Sequence, residues 1–397
     1  ILMYLLYQRS YRHYCPTICG GGKEKTYFTK DILKKYHDFL ETLDNSYSSL
    51  ILQNGKTIFQ YGNIDDNYYI ASIRKGILGI LYGIYDIDIN KTLKELDIDD
   101  VEGLTDEEKT ATIKDLLQVK SGIYHPASNL GDDEDKPARG SKKPGTYWVY
   151  NNWDYNVLGT IFEQETGVDI HDAVKELGDE LDFEDYDTES VEKDKKHRKS
   201  VPKDKSIHTP YHLLLSARDL SKIGLLMLNK GKYKGKQIVP KTWIKKLTTL
   251  VTTNKETRRP DGFGYSHLWF VYDTSPNDTL YGTLKIQGYG GSCVLVIPKL
   301  SAVVVVKRVK PLGTEHPATI PLSNFFKIIF PSLSKGPLMR EYIPKLSYIK
   351  KEDDTVTYFN NIGDYKINGS SEIRIGSVTK LFTAIAIFIA QKQGKLK

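Results

Sequence analysis

Ala71-Ser72-Ile73-Arg74-Lys75-Gly76, running into the apolar stretch Ile77-Leu78-Gly79-Ile80-Leu81, is where the reading of this chain turns. If the segment is helical, Ser72 and Lys75 are three residues apart and share one face. A hydroxyl beside an amine is a workable nucleophile–base pair once the amine is uncharged. Burial against the apolar run favours that uncharged form. The spacing alone decides nothing. It recurs at Ser190–Lys193, Ser200–Lys203, Ser332–Lys335, Ser347–Lys350 and Ser377–Lys380, so the companions of Ser72 must carry the argument.

The chain has 397 residues, room for one large domain or two ordinary ones. With 40% hydrophobic and 27% charged residues it has a globular composition. A net charge of +6 over this length is too dilute to argue for a nucleic-acid partner. No apolar run approaches the roughly 20 residues that span a bilayer. The opening Ile1-Leu2-Met3-Tyr4-Leu5-Leu6-Tyr7 lacks a preceding basic region and is not an intact secretory signal. A longer signal could precede it, so the compartment stays open. Cys15-Pro-Thr-Ile-Cys19 lacks a second ligand pair and reads as ordinary thiols, like Cys293. No metal or cofactor is expected.

Residues 1–26 read as a poorly ordered leader ending in Gly20-Gly21-Gly22. Thr29 caps a helix with Ile32, Leu33, Tyr36, Phe39, Leu40 and Leu43 on one side. Asn54-Gly55 between Ser49–Gln53 and Lys56–Gln60 marks a hairpin. Thr105 and Glu108 form a capping box for one helix reaching about Val119. Residues 184–206 are nearly all polar, and the charge run Glu192 to Lys199 is expected to be a solvated loop. Ser216 with Asp219 opens a helix to Leu228, and Pro240 another through Leu247. Strand-like runs follow at Tyr265–Tyr272, Thr283–Gln287, Cys293–Ile297 and Ala302–Val306. Early and late strands around a helical middle predict an α+β fold in which the first hairpin pairs with the late strands.

Three stretches then line up: Ser72-Ile73-Arg74-Lys75, Tyr150-Asn151-Asn152, and Gln287-Gly288-Tyr289-Gly290-Gly291 before a strand. Acyl transfer needs a hydroxyl, a base and donors for the oxyanion. Lys75 and the Tyr150 phenol can share a proton network that takes the Ser72 proton. Asn152 offers an amide to orient Lys75 or a substrate. The glycine-rich turn lets backbone N–H groups approach a substrate closely. Taken singly, Ser72 and Lys75 could be a helix start and a surface lysine, Tyr150 a core tyrosine and the turn a mere connection. His125, His208, His212 and His267 read as structural or exposed, and Pro210 opposes a helical His208–His212 metal pair.

The set resembles the serine β-lactamase and penicillin-binding-protein superfamily, in the branch of class C β-lactamases, esterases and D-amino-acid peptidases. Further likeness lies in Thr112-Ile113-Lys114-Asp115-Leu116-Leu117 through Ser121-Gly122-Ile123, in Pro144-Gly145-Thr146 through Leu158-Gly159, and in Ser216-Ala217-Arg218-Asp219-Leu220 through Gly224-Leu225-Leu226. It covers about residues 27–335. It implies an antiparallel sheet flanked by helices, with a mostly helical second lobe and the site between them. It also implies Ser72 as the acylated nucleophile with Lys75 and Tyr150 as the general-base pair. The oxyanion would be held by the Ser72 N–H and one N–H in the Tyr289–Gly290 region, with Asn152 and Gly288 beside the substrate. Penicillin-directed relatives carry Lys-Thr-Gly where this chain has Gly288-Tyr289-Gly290, which ranks ester, amide or peptide hydrolysis above β-lactam hydrolysis. A non-catalytic binding or sensor module is the other reading. Residues 336–397 read as the truncated start of a second unit, with a hairpin at Leu346–Ile349 and Val356–Phe359 and a second nucleophile-like segment, Ile375-Gly376-Ser377-Val378-Thr379-Lys380. The implied partner is a small molecule; the oligomeric state is not legible.

Overall fold

Asn54 and Gly55 both adopt left-handed backbone, φ 52° and 73°, the geometry a two-residue hairpin turn needs. They join β1 (Tyr47–Gln53) to β2 (Lys56–Tyr61). The computed structural model describes residues 27–43, 46–128, 136–259, 261–273, 276–309, 322–330, 348–352 and 355–359. The chain divides into two units, residues 1–339 and 340–397.

The strands of the first unit continue with β3 (Tyr68–Tyr69), β4 (Leu214–Leu215), β5 (Lys232–Tyr233), β6 (Lys236–Gln237), β7 (Phe263–Tyr265), β8 (Phe270–Tyr272), β9 (Leu284–Gly288), β10 (Ser292–Ile297) and β11 (Ala302–Arg308). Its helices are α1 (Lys30–Glu41), α2 (Ile73–Ile84), α3 (Ile113–Leu117), α4 (Asn152–Thr166), α5 (Ile170–Glu180), α6 (Thr188–Lys199), α7 (Ala217–Leu228), α8 (Lys241–Thr248), α9 (Asn254–Thr257) and α10 (Leu322–Ile329).

A seven-stranded antiparallel sheet runs β2-β1-β11-β10-β9-β8-β7. The early hairpin therefore pairs with the late strands, Ser49 opposite Val306 and Leu52 opposite Val303. Every residue of β10 and β11 is buried, which requires cover on both faces. On one face Tyr36 of α1 hydrogen-bonds Ser49 at 3.0 Å, and Phe325 of α10 stands edge-on to Tyr47. On the other, α7 comes so close that a Cβ on Gly224 would lie 2.4 Å from Val303. The architecture is α+β, an antiparallel sheet flanked by helices, as expected.

On the α7 face lies α2, buried from Ile73 through Gly83. Its glycines permit this. A Cβ would meet Ile286 at 2.2 Å from Gly76 and the Trp243 indole at 2.0 Å from Gly83. Trp269 and Trp243 donate their indole N–H groups to the Gly76 and Gly79 carbonyls, at 3.1 and 2.8 Å.

Three expectations are corrected. The helix from Thr105 to Val119 is broken. Thr105 and Glu108 do form their capping pair, but only a 3-10 turn follows, Glu108–Thr110. The Lys109 and Ala111 carbonyls accept from Lys94 and Leu93 instead of a next helical turn, and a second capping box, Thr112 with Asp115, starts α3 afresh. The polar stretch expected as a solvated loop contains α6. Asp187 caps it, Glu189 and Lys193 pair at 2.8 Å one turn apart, and buried Asp194 accepts from the Tyr186 hydroxyl and the Leu214 N–H. Tyr265–Tyr272 is not one strand, because Leu268 is left-handed, φ 64°, and the chain reverses between β7 and β8.

In the second unit β12 (Tyr348–Glu352) and β13 (Thr355–Phe359) pair as the expected hairpin. Residues 1–26 and the Ser377–Lys380 segment lie outside the described residues. Among the described residues no helix is long and apolar enough to cross a membrane.

The glycine face of α2 makes a testable case. Alanine is the better helix former by about 1 kcal/mol, but over-packing costs about 1–3 kcal/mol. With Ile286 and Trp269 closing over Gly76, packing wins, so Gly76→Ala should lower the urea midpoint and destabilise by about 1–2 kcal/mol. Unchanged or higher stability would mean that α2 stands off the sheet.

Candidate active site

Ser72 occupies the N-cap position of α2, φ −73° and ψ −4°, and its hydroxyl makes no capping bond. Ala71 before it is left-handed, φ 49°, a conformation that costs a non-glycine residue about 1–2 kcal/mol. The Ile70 N–H donates to Leu213 O and the Ile73 N–H to Ile70 O, so the bend is held from both sides. The half-buried Ser72 thus stands at the head of a buried helix.

One turn on, Lys75 is 2% exposed. Its Nζ donates to Tyr150 Oη and to Asn152 Oδ1, both at 2.6 Å. The amine also lies over the rings of Tyr150 and Tyr155, 4.1 and 3.8 Å from their centroids. Asn151 caps α4 by accepting the Trp153 N–H, which delivers Asn152 as the first helical residue and leaves Tyr150 on the approach. Tyr155 in turn bonds Tyr265 at 3.1 Å.

The glycine turn arrives from β9. A Cβ on Gly288 would lie 2.4 Å from Ile70 O and 3.1 Å from Ala71 Cβ, so only glycine lets the strand end press against the residues before Ser72. Tyr289 is 70% exposed at the tip of the turn. Gly290 and Gly291 follow at φ 88° and 85°, and Tyr47 Oη donates to Gly290 O at 2.7 Å.

Lys75, Tyr150 and Asn152 are therefore bonded to one another, and Gly288 packs against the backbone leading into Ser72. Among the described residues no hydrogen bond joins the Ser72 hydroxyl to Lys75 or Tyr150. Such bonds are often long until substrate binds.

Two groups escaped the sequence reading. Asp154 is 1% exposed. Its Oδ1 accepts from Ser121 Oγ at 2.6 Å and Asn151 Nδ2 at 2.8 Å, tying the Ser121 loop to the start of α4, while Oδ2 has no partner among the described residues. Burial pushes this carboxyl up to about 8. The other group is Arg259, Asp261 and Lys285. Asp261 accepts from Arg259 at 2.7 Å and from Lys285 at 2.6 Å. Burial pushes Lys285 down to about 8, while the two cations hold Asp261 below the usual carboxylate range against the cost of its burial. Arg259 also lies over Phe270 at 4.4 Å and reaches Gln287 Oε1 at 3.5 Å. A cation thus stands beside Gln287-Gly288-Tyr289 although no lysine starts that motif. The only sequence signal for either group was an acid in a helix's first turn and a basic pair, Arg258-Arg259, before Pro260.

Residues 68–318 match the family model described as Beta-lactamase. The chain belongs to the beta-lactamase family. An uncharacterized protein of Alkalihalophilus pseudofirmus is 26% identical over 268 residues, 61% of this chain and 73% of that one. Among solved structures, the octameric penicillin-binding protein homologue from Pyrococcus abyssi is similar at TM-score 0.56 and 20% identity, covering 81% of this chain and 86% of that one. A Bacillus anthracis chain provisionally named a 6-aminohexanoate-dimer hydrolase gives 0.52 at 17% identity, covering 74% and 81%. These structural likenesses show the fold. The family match also takes in the Ser72, Tyr150 and Gly288 stretches.

Of His125, His208, His212 and His267, all but His212 are buried. His208 bonds Thr160 Oγ1 and Asp99 O. Among the described residues no cluster of three or more histidine, cysteine or acidic residues is arranged to hold a metal.

Asp154 gives a pH prediction. Its carboxyl keeps its proton up to about pH 8 in the fold but only to about 3.9 when unfolded. Between those values the folded state binds the extra proton, so this group's contribution to stability falls as pH rises. Asp154→Asn should therefore gain on the wild type from pH 5 to 8, by up to about 1.4 kcal/mol per pH unit. A urea-unfolding difference flat in pH would show that the carboxylate is already ionised in the fold.

Proposed function

We propose that this chain is a metal-independent serine hydrolase that forms an acyl-enzyme on a small ester, amide or peptide. The observation carrying the proposal is the Lys75 amine, buried at the head of α2 and bonded to the Tyr150 phenol and the Asn152 amide. An amine in such surroundings, once uncharged, is a base within one helical turn of a hydroxyl.

In this reading Ser72 Oγ attacks the carbonyl carbon and its proton passes into the Lys75–Tyr150 pair. The carbonyl π pair moves to oxygen, and the resulting oxyanion is held by the Ser72 N–H and an N–H of the Tyr289–Gly290 region. Collapse expels the leaving group, which takes the proton from Tyr150 or Lys75. Water then repeats the sequence on the acyl-enzyme and restores Ser72 Oγ–H. Asn152 orients the amine and the substrate. The hydrolase unit is residues 27–335, and residues 336–397 belong to a second, related unit.

Fluorophosphonate labelling and p-nitrophenyl ester turnover test the proposal. Ser72→Ala should abolish both. Lys75→Met and Tyr150→Phe should each slow acylation by about 10²–10⁴-fold while leaving the melt cooperative. Undiminished labelling of Ser72→Ala would overturn the assignment. Stoichiometric ligand binding without turnover by the wild type would point instead to a binding module.

A further inference from the structure

Arg74 is 3% exposed, yet its Nε and Nη1 have no hydrogen-bond acceptor among the described residues. No ion pair neutralises it there either. It follows Ser72 by two positions, about 200° round the helix, and precedes Lys75 by one, about 100°, so it lies off the face that Ser72 and Lys75 share. Its guanidinium carbon lies 4.5 Å from the centroid of the Tyr211 ring. Arg74 lies close enough to the Tyr211 oxygen to favour the phenolate against the cost of its burial, but makes no well-aligned bond to it, and His212 Nδ1 is buried without a partner among the described residues. A helix residue and two loop residues beside it thus hold donors, the Arg74 Nη1–H and the Tyr211 O–H among them, that no carboxylate or carbonyl accepts among the described residues.

The cations around them are served. Arg198 bonds Glu163. His171 bonds Asp169 Oδ1 at 3.1 Å and the His212 carbonyl at 3.1 Å. Asp194 is taken up by Tyr186 and the Leu214 N–H. His212 stands with its ring 4.8 Å from that of Tyr69 and 4.4 Å from that of His197. Burial first, then the Arg74 charge, pushes His212 down to about 2, so it is neutral and brings no competing cation. Tyr69, 38% exposed, and the exposed His197 form the solvent side of this cluster.

A buried cation without a counter-charge is strongly unfavourable, and buried charges are normally paired. The nucleophile motif itself does not demand one here. In the chain's second nucleophile-like segment, Gly376-Ser377-Val378-Thr379-Lys380, threonine stands where the first has Arg74.

We propose that Arg74, Tyr211 and His212 form a site for one compact monovalent anion, a halide or the carboxylate of a small acid, behind the nucleophile helix. Arg74 supplies the charge, and the Tyr211 O–H and the His212 Nδ1–H tautomer complete the donor set. The anion sets the head of α2 from beside the Ser72–Lys75 face, and its binding can be read without any turnover assay.

The test is thermal unfolding of the full chain at constant ionic strength, with sodium gluconate replaced stepwise by chloride or by formate. The wild type should show a saturable rise of roughly a few degrees, and ³⁵Cl line broadening that formate reverses. A response to chloride marks a halide site, and a response to formate alone marks a carboxylate site. Arg74→Thr, the residue of the second segment, should abolish the saturable rise and the broadening. Tyr211→Phe should move the half-saturation concentration up by about tenfold, which keeps the proposal testable should Arg74→Thr not fold. Equal responses in wild type and both variants would overturn it. So would no response in the wild type, since an ordered water would then be satisfying the same donors.

Discussion

The bond pair from the Lys75 amine to Tyr150 Oη and Asn152 Oδ1 is the point on which the molecule's parts converge. It joins α2 to the start of α4, two elements far apart in the chain, and it does so where water is nearly excluded. Its geometry demands that α2 be sunk into the fold, because a lysine one turn into an exposed helix would extend into solvent. The glycines of α2 meet that demand. They let the helix lie against Ile286, Leu268 and Trp243, and the tryptophan N–H groups bind its carbonyls from the side.

The same depth creates electrostatic problems, which the structure answers in different ways. Lys285, fully buried on β9, is matched by Asp261, which also holds Arg259. Asp154 is given hydroxyl and amide donors instead of a cation, and its burial cost appears as a carboxyl that holds its proton to about 8. Arg74 has the Tyr211 ring beneath it and no carboxylate, with Nε and Nη1 unbonded among the described residues. Asp154 can shed its charge by holding a proton, whereas the guanidinium of Arg74 stays charged, which marks its environment as the incomplete one.

The backbone around Ser72 shows a local sacrifice of comfort for position. Ala71 is held left-handed while Gly288 presses on Ile70 and Ala71 from β9. In the second nucleophile-like segment a glycine, Gly376, takes the place of Ala71, where that backbone would carry no steric cost. The bend places the serine hydroxyl off the helix's own capping geometry, which leaves it available to chemistry instead of to the helix end.

Local rules in the sequence were enough for much of this. The Asn54-Gly55 hairpin, the Thr29 and Ser216 caps and the pairing of early with late strands follow from turn chemistry and hydrophobic pattern, and the three site motifs could be named because each carries its residues within a few positions. What local rules missed was settled by contacts between distant segments. The Lys109 and Ala111 carbonyls went to Lys94 and Leu93, so one helix became a 3-10 turn and a short α-helix. Tyr186 and Leu214 gave the charged α6 an anchor that composition does not show. Asp154, Arg259 and Arg74 acquired their importance from burial. Depth and partners are properties of the assembled fold, because the dielectric around a charge and the donors that reach it come from residues remote in sequence. Residue type and spacing therefore determined which side chains could meet, and tertiary packing alone decided which of them meet out of water.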